Sequence, residues 1–193
     1  MNTDNYIESI KSVTIRSIEI KKRLLMSSSK VMIFESFLKE NIGNEVLVVN
    51  TNIGMEVYYY SKNNYSRFIR ESVLLYTIKN VNPLKLKFRD NLTRKEVYQS
   101  FCEALITFSQ YPQLFLAYAK KFIYLKKEHD SSKFVMPVLD SFFEEVLAFL
   151  VETGKIPHYE KVKSAKFKSQ ILDIDNTVIK DLISEILLKK HYN

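Results

Sequence analysis

Basic side chains interleaved with tyrosine and asparagine mark one stretch of the 193-residue sequence as capable of chemistry. Between residues 51 and 100 lie nine cations (Lys62, Arg67, Arg70, Lys79, Lys85, Lys87, Arg89, Arg94 and Lys95) against four carboxylates. The same stretch holds Tyr58, Tyr59, Tyr60, Tyr65 and Tyr76 and the neutral donors Asn63 and Asn64. The segments on either side are each within one charge of neutral, so +5 of the formal net charge of +7 sits here. Cations that neutralise phosphates dominate nucleic-acid affinity, and Tyr and Asn add backbone and groove contacts. The alternative for these residues is a solvated basic face. A second basic patch, Lys155 with Lys161, Lys163, Lys166 and Lys168, follows Gly154 and Pro157 and reads as a solvated loop or helix start.

Other chemistries find few candidates. His129, His158 and His191 lie in polar stretches, none with a second ligand at a metal spacing, and read as surface residues. Cys102, beside Phe101 and Ala104, reads as a packing residue with no base indicated to activate its thiol. Glu144 and Glu145 are adjacent, so on a helix they point about 100° apart and form no acid–base pair. Asp173 and Asp175 suit a helix cap better than catalysis. There is no glycine-rich phosphate loop. The expectation is a protein that is not an enzyme and carries no metal or cofactor.

The elements that must position the basic stretch read as mostly helical. Three glycines are far fewer than an average of about 7% would supply, which disfavours β-sandwiches and dinucleotide-binding units. The expected fold class is all-α, with a helix-turn-helix-like N-terminal part and a helical C-terminal part, and a short β-hairpin at 46–60 as the local alternative. Residues 1–30 read as helix from Ile7, Ile10, Val13 and Ile20, although Val13, Ile15, Ile18 and Ile20 also alternate. Ser27, Ser28 and Ser29 offer N-caps for a helix that stops near Gly43. Val46–Val49 and Val57–Tyr60 favour a hairpin by propensity, or two short helices about a turn. A helix from Ser66 to about Asn80 is followed by Pro83 and a basic connector, Lys85 to Asn91. Thr93 and Glu96 form a capping box, Pro112 breaks the following helix, and Gly154 closes the one that contains Pro137. A last helix runs from about Ile171 to Lys190.

The segment Thr51-Asn52-Ile53-Gly54-Met55-Glu56-Val57-Tyr58-Tyr59-Tyr60-Ser61-Lys62-Asn63 resembles the recognition region of TetR-family repressors. Ile53 corresponds to the turn hydrophobe, Tyr58–Tyr60 to the aromatic run, Lys62 to the basic residue after it, and Phe68-Ile69 to the start of the fourth helix. Phe34 matches the aromatic of the first helix and Leu47-Val48 the apolar pair of the second; Ser61 stands where that family has Phe, and Asn64 where it has a second Lys. The resemblance spans roughly residues 30–70 and implies a homodimeric repressor of double-stranded DNA. Its DNA-binding residues would be Met55, Glu56, Tyr58, Tyr59, Lys62, Asn63 and Arg67.

That plan divides the chain into a DNA-binding part with an extension, 1–82, and a regulatory and dimerisation part, 83–193. Pairing would use the helices over Val138–Leu150 and Ile171–Leu188. Phe101, Phe108, Phe115, Tyr118 and Phe122 would either fill a core or line a pocket for a small apolar effector. Rival readings are a winged-helix protein whose wing is the 46–60 hairpin, and an α-helical protein-interaction module. No apolar run is long enough to span a membrane and the N-terminus lacks a signal-peptide pattern, so the expected compartment is cytoplasmic.

Overall fold

β-Branched residues decide the start of the chain. The computed structural model describes residues 9–17, 24–52, 54–77 and 86–169. Its first element is a strand, β1 (Ser9–Ser17), where a helix was expected. Val13, Thr14 and Ile15 keep more side-chain freedom in a strand than in a helix. Every residue from Ile10 to Ile15 is buried, polar Lys11, Ser12 and Thr14 included, so the pattern of a half-solvated strand is missing. Helix α1 (Ser28–Ile42) obeys its signals: Ser27 Oγ accepts from the Lys30 amide, and Gly43 closes it.

Residues 46–61 form an antiparallel hairpin, β2 (Val46–Thr51) and β3 (Gly54–Ser61), with Val48 opposite Val57 and Thr51 opposite Gly54. The helix-turn-helix is therefore not formed. Nor is the hairpin a free wing, because β3 also pairs with β1 from Ser9↔Ser61 to Arg16↔Gly54. Gly54 is required at that crossing: its φ is +153°, and an added Cβ would lie 2.2 Å from the Ile15 carbonyl oxygen. After α2 (Ser66–Thr77), the expected basic connector is strand β4 (Leu86–Asn91), antiparallel to β1 with Ser12 opposite Asn91.

The sheet order is β2-β3-β1-β4. All three pairings are antiparallel, so β1 and β2 run parallel with β3 between them, a split β-α-β arrangement. Among the described residues four helices follow: α3 (Arg94–Ser109), α4 (Pro112–Glu128), α5 (Val135–Glu152) and α6 (159–169). The Thr93–Glu96 capping box starts α3, and Pro112 sits in the first turn of α4 as its sequence suggests.

Helices cover both faces of the sheet. Phe34 and Leu38 of α1 and Ile69 and Val73 of α2 meet Val13, Ile15, Val48, Met55, Val57 and Tyr59 on one face. On the other, α3, α4 and α5 bring Phe101, Leu105, Phe115, Phe122 and Phe143 against Ile10, Leu47, Val49 and Tyr58. The class is mixed α/β in three layers, which corrects the all-α expectation. β4 lies beyond residue 82 and completes the sheet begun by β1. The helix read over Ile171–Lys190, with its dimer segment Ile171–Leu188, lies outside the described residues, as do Ile53, Lys79, Pro83, Lys85, Asp173, Asp175 and His191. Among the described residues no helix is long and apolar enough to cross a membrane.

Candidate nucleic-acid interface

β3 and β4 both run antiparallel to β1, so they point the same way and finish at the same end of the sheet. Short connections then bring the N-termini of α2 and α3 to that end, one on each face. Helix N-termini carry partial positive charge, although here the Ser66 amide already donates to Asn64 Oδ1 at 2.9 Å and the Glu96 amide to Thr93 Oγ1 at 3.3 Å. Lys62, Asn63 and Arg67 of the β3–α2 region and Arg94 and Lys95 at the start of α3 are all exposed there. Arg67 pairs with Glu71 at 2.8 Å, one turn along its own helix. Arg94 lies over the Phe142 ring at 5.8 Å. Lys62 and Lys95 have no carboxylate partner among the described residues.

The acids near these cations are engaged. Glu96 accepts from the Leu92 and Thr93 amides at 2.9 and 3.0 Å, and these N–H groups hold its carboxyl below the usual range. Asp90 pairs with Arg70, and Glu103 with Arg89 at 3.1 Å. What remains is a positively charged end from which two helix N-termini project. Arg94 and Lys95 were not among the residues expected to touch DNA. The capping box places them at a helix start, and only the strand order shows that this start and Lys62 lie at the same end of the sheet.

The expected DNA-binding residues split into two groups. Lys62, Asn63 and Arg67 lie together on the surface, whereas Met55, Glu56, Tyr58 and Tyr59 are buried in β3. Met55 and Tyr59 face α1 and α2. Glu56 and Tyr58 face the other helices, in a network of their own. Arg16 Nη2 lies 2.6 Å from Glu56 Oε1, while the Tyr58 and Tyr118 hydroxyls donate to Glu56 Oε2 at 2.9 and 3.3 Å. Burial works to lower the Arg16 pKa, but the Glu56 carboxylate outweighs it and holds the guanidinium above its ordinary value. Burial first, and the Glu56 charge second, push both tyrosines well above the ordinary tyrosine range. Asn91 Nδ2 donates to Ser12 Oγ at 2.9 Å on the same face.

Two further carboxylates clamp the β2 edge. Glu45 accepts from the amides of Lys133, Phe134 and Val135 at 2.8, 3.1 and 3.0 Å and from the Ser132 hydroxyl at 2.8 Å, capping α5 from a distance. Burial tends to raise its pKa, and these four donors together lower it. Glu35 of α1 accepts from the Val48 amide at 2.9 Å and meets Lys39 Nζ and His129 Nε2, each at 2.7 Å. Here too burial opposes ionisation, and His129 and Lys39 override it to bring the carboxyl below its usual range.

His129 Nδ1 faces the Leu125 carbonyl at 3.0 Å, so both ring nitrogens point at acceptors, which suits the doubly protonated ring. The Glu35 hydrogen bond raises its pKa accordingly. His129 is thus a half-buried joint between α1 and α4 and not the surface residue expected. No spacing in the sequence links Glu35 to His129.

The five residues considered for an effector pocket are buried and meet one another or their neighbours. Phe101 lies 5.7 Å from Phe122 and Phe108 lies 5.2 Å from Tyr118, ring centroid to centroid, and Phe115 is enclosed beside them. They form the core under α3 and α4. A groove of about 360 Å³ between α5 and α6, lined by Leu147, Val151, Ile156, Tyr159 and Val162, shares none of these rings. Cys102 is half-buried beside Tyr98, its thiol pKa raised by burial. Among the described residues no group of three or more His, Cys, Asp or Glu side chains is placed to hold a metal ion. No protein-family model matches the chain, and no curated protein or solved structure is significantly similar to it.

Proposed function

We propose that this chain binds DNA as a regulator, through phosphate contacts at the end of the sheet where β3 and β4 finish. One observation carries the reading. Four of the nine cations of the 51–100 stretch, Lys62, Arg67, Arg94 and Lys95, are exposed at that end, where α2 and α3 also begin. Phosphate oxygens are bound by such cations and favoured by the positive ends of helices. Recognition by Met55, Glu56, Tyr58 and Tyr59 has no part in it, since those side chains are interior.

The regulator is proposed to act as a homodimer. Phe149 and Val151 of α5 and Tyr159 and Phe167 of α6 are exposed apolar side chains that a second copy would cover. Exposed Met32, Ile33 and Leu75 on α1 and α2 favour a second reading, a protein-interaction module whose basic end is only solvated.

Fluorescence anisotropy of a labelled duplex across a salt series separates the two. Four phosphate contacts give a slope of log K against log salt of roughly −3.6. The quadruple variant K62A/R67A/R94A/K95A loses most of that slope. A control of equal charge loss away from that end, K30A/K87A/K155A/K161A, leaves it unchanged: Lys87 opens β4 at the opposite end of the sheet, Lys30 opens α1 near the β2–β3 turn, and Lys155 and Lys161 follow the C-terminus of α5. Equal loss in both variants, or no salt-dependent binding, contradicts the proposal.

A further inference from the structure

Phe134 differs from the phenylalanines that fill the core on its side of the sheet. Phe101, Phe115, Phe122 and Phe143 are enclosed, while Phe134 is 46% exposed although it sits at the N-cap of α5. One of its faces is taken: the Tyr60 ring stacks on it at 4.5 Å with only 9° between the planes. The exposed area is therefore the opposite face and the ring edge.

The position is held firmly. The Glu45 carboxylate binds the amides of Lys133, Phe134 and Val135, and Met136 N donates to Ser132 Oγ at 3.0 Å. Glu45 is the acid nearest the ring in this network, and its charge faces the α5 N-terminus. Lys62, two residues after Tyr60, and Lys133, next to Phe134, are exposed cations, and Asn63 beside Lys62 is an exposed amide.

We propose that the Tyr60–Phe134 stack is a platform for an unpaired nucleobase, with Lys62 and Lys133 on the adjoining phosphates. The proposal rests on the nucleic-acid reading above and deepens it. It assigns the preferred ligand as DNA with unstacked bases, in the single strand or at an opened position of a duplex. Physically, a flat ring pair already at stacking separation accepts a third ring without rearrangement. Base–aromatic stacking is tolerant of sequence because every base presents a π-face. A base covering Phe134 would also remove apolar surface from water beside cations that bind the backbone.

Tryptophan is absent from the chain, so the variant Phe134→Trp carries a single indole that reports stacking. Its fluorescence is titrated with oligo(dT), with an abasic strand of equal length, and with blunt duplex. Quenching by oligo(dT) alone is expected. Phe134→Ala should weaken oligo(dT) binding about ten- to hundred-fold by anisotropy, leaving duplex binding within about two-fold. Phe134→Tyr should restore most of the loss, and circular dichroism of each variant checks that α5 is intact.

Unquenched indole, with oligo(dT) affinity unchanged in Phe134→Ala, overturns the platform but leaves the DNA reading standing. Equal quenching by the abasic strand overturns it as well, because the indole then responds to phosphate. Absence of binding to any of the three probes overturns both proposals.

Discussion

On one face of the sheet Val13, Ile15, Val48, Met55 and Val57 meet Phe34, Leu38, Ile69 and Val73, and the layer beneath α1 and α2 is held mainly by apolar area, its buried Asn50 and Lys11 lying towards the two ends of the sheet. The other face carries Ser12, Thr14, Arg16, Glu56, Tyr58 and Asn91 under α3 and α4, with Tyr118 of α4 closing the Glu56 network. An apolar face asks only for volume and shape. A polar one requires every donor and acceptor to find its partner, since an orphaned buried charge costs far more than a lost methyl. The helices beyond Asn91 are therefore part of how the sheet is satisfied: without α4, Glu56 loses one of its three donors. The difference teaches that the sheet and the C-terminal helices depend on each other chemically as well as by packing.

The largest effect that would break this comparison is Glu56→Ala. It strands the Arg16 guanidinium and two buried hydroxyls, and urea unfolding should show a loss of about 3–5 kcal/mol. A matched change on the apolar face, Ile69→Val, removes one methylene and should cost about 0.5–1.5 kcal/mol. If the two losses are alike, the faces do not differ as argued. Replacing both charged partners, R16M with E56L, should recover much of the single-variant loss, because no charge is left unpaired.

Next in size is Glu45→Ala, which uncaps α5 and should cost about 1–2 kcal/mol by the same assay. Its carboxyl is lowered in the folded state, so the contribution is present above the ordinary carboxylate value and fades as pH falls through the lowered one. The joint between the layers, Glu35 with His129, responds in the opposite sense at its histidine. His129 is raised when folded, so its contribution is complete below the ordinary histidine value of about 6.5 and is lost as pH rises through the raised one. An NMR titration of the His129 ring should place its midpoint above 6.5, and Glu35→Gln should bring it down. The smallest effect is expected for Glu71→Ala at the exposed Arg67 pair, where the urea midpoint should not move measurably.

Local signals were legible where a few neighbouring residues decide the outcome. Ser27 and Gly43 bound α1, Thr93 with Glu96 starts α3, and Pro112 starts α4, because caps and proline act within one helical turn. The Tyr58–Tyr60 run was read through a helical motif although Val46–Val49 and Val57 favour strands, and pairing of β3 with both β1 and β2 settles it. β1 escaped because it is buried on both faces. In β4 the alternation of buried Leu86 and exposed Lys87 is short, and the charges of Arg89 and Asp90 blur it. Charge distribution along the chain marks the basic residues, whereas the end they share with the α3 N-terminus follows from sheet order alone.

The account stands on the claim that DNA meets the end of the sheet where β3 and β4 finish, and chemical-shift mapping of ¹⁵N-labelled protein titrated with DNA tests it most directly. The predicted result is a contiguous set of shifted amides over 61–67 and 92–95, joined by 132–135 when the strand is unpaired, with 153–161 unmoved. A set centred instead on α1 and α2 or on α5 and α6, or no shifts at low salt, would contradict it.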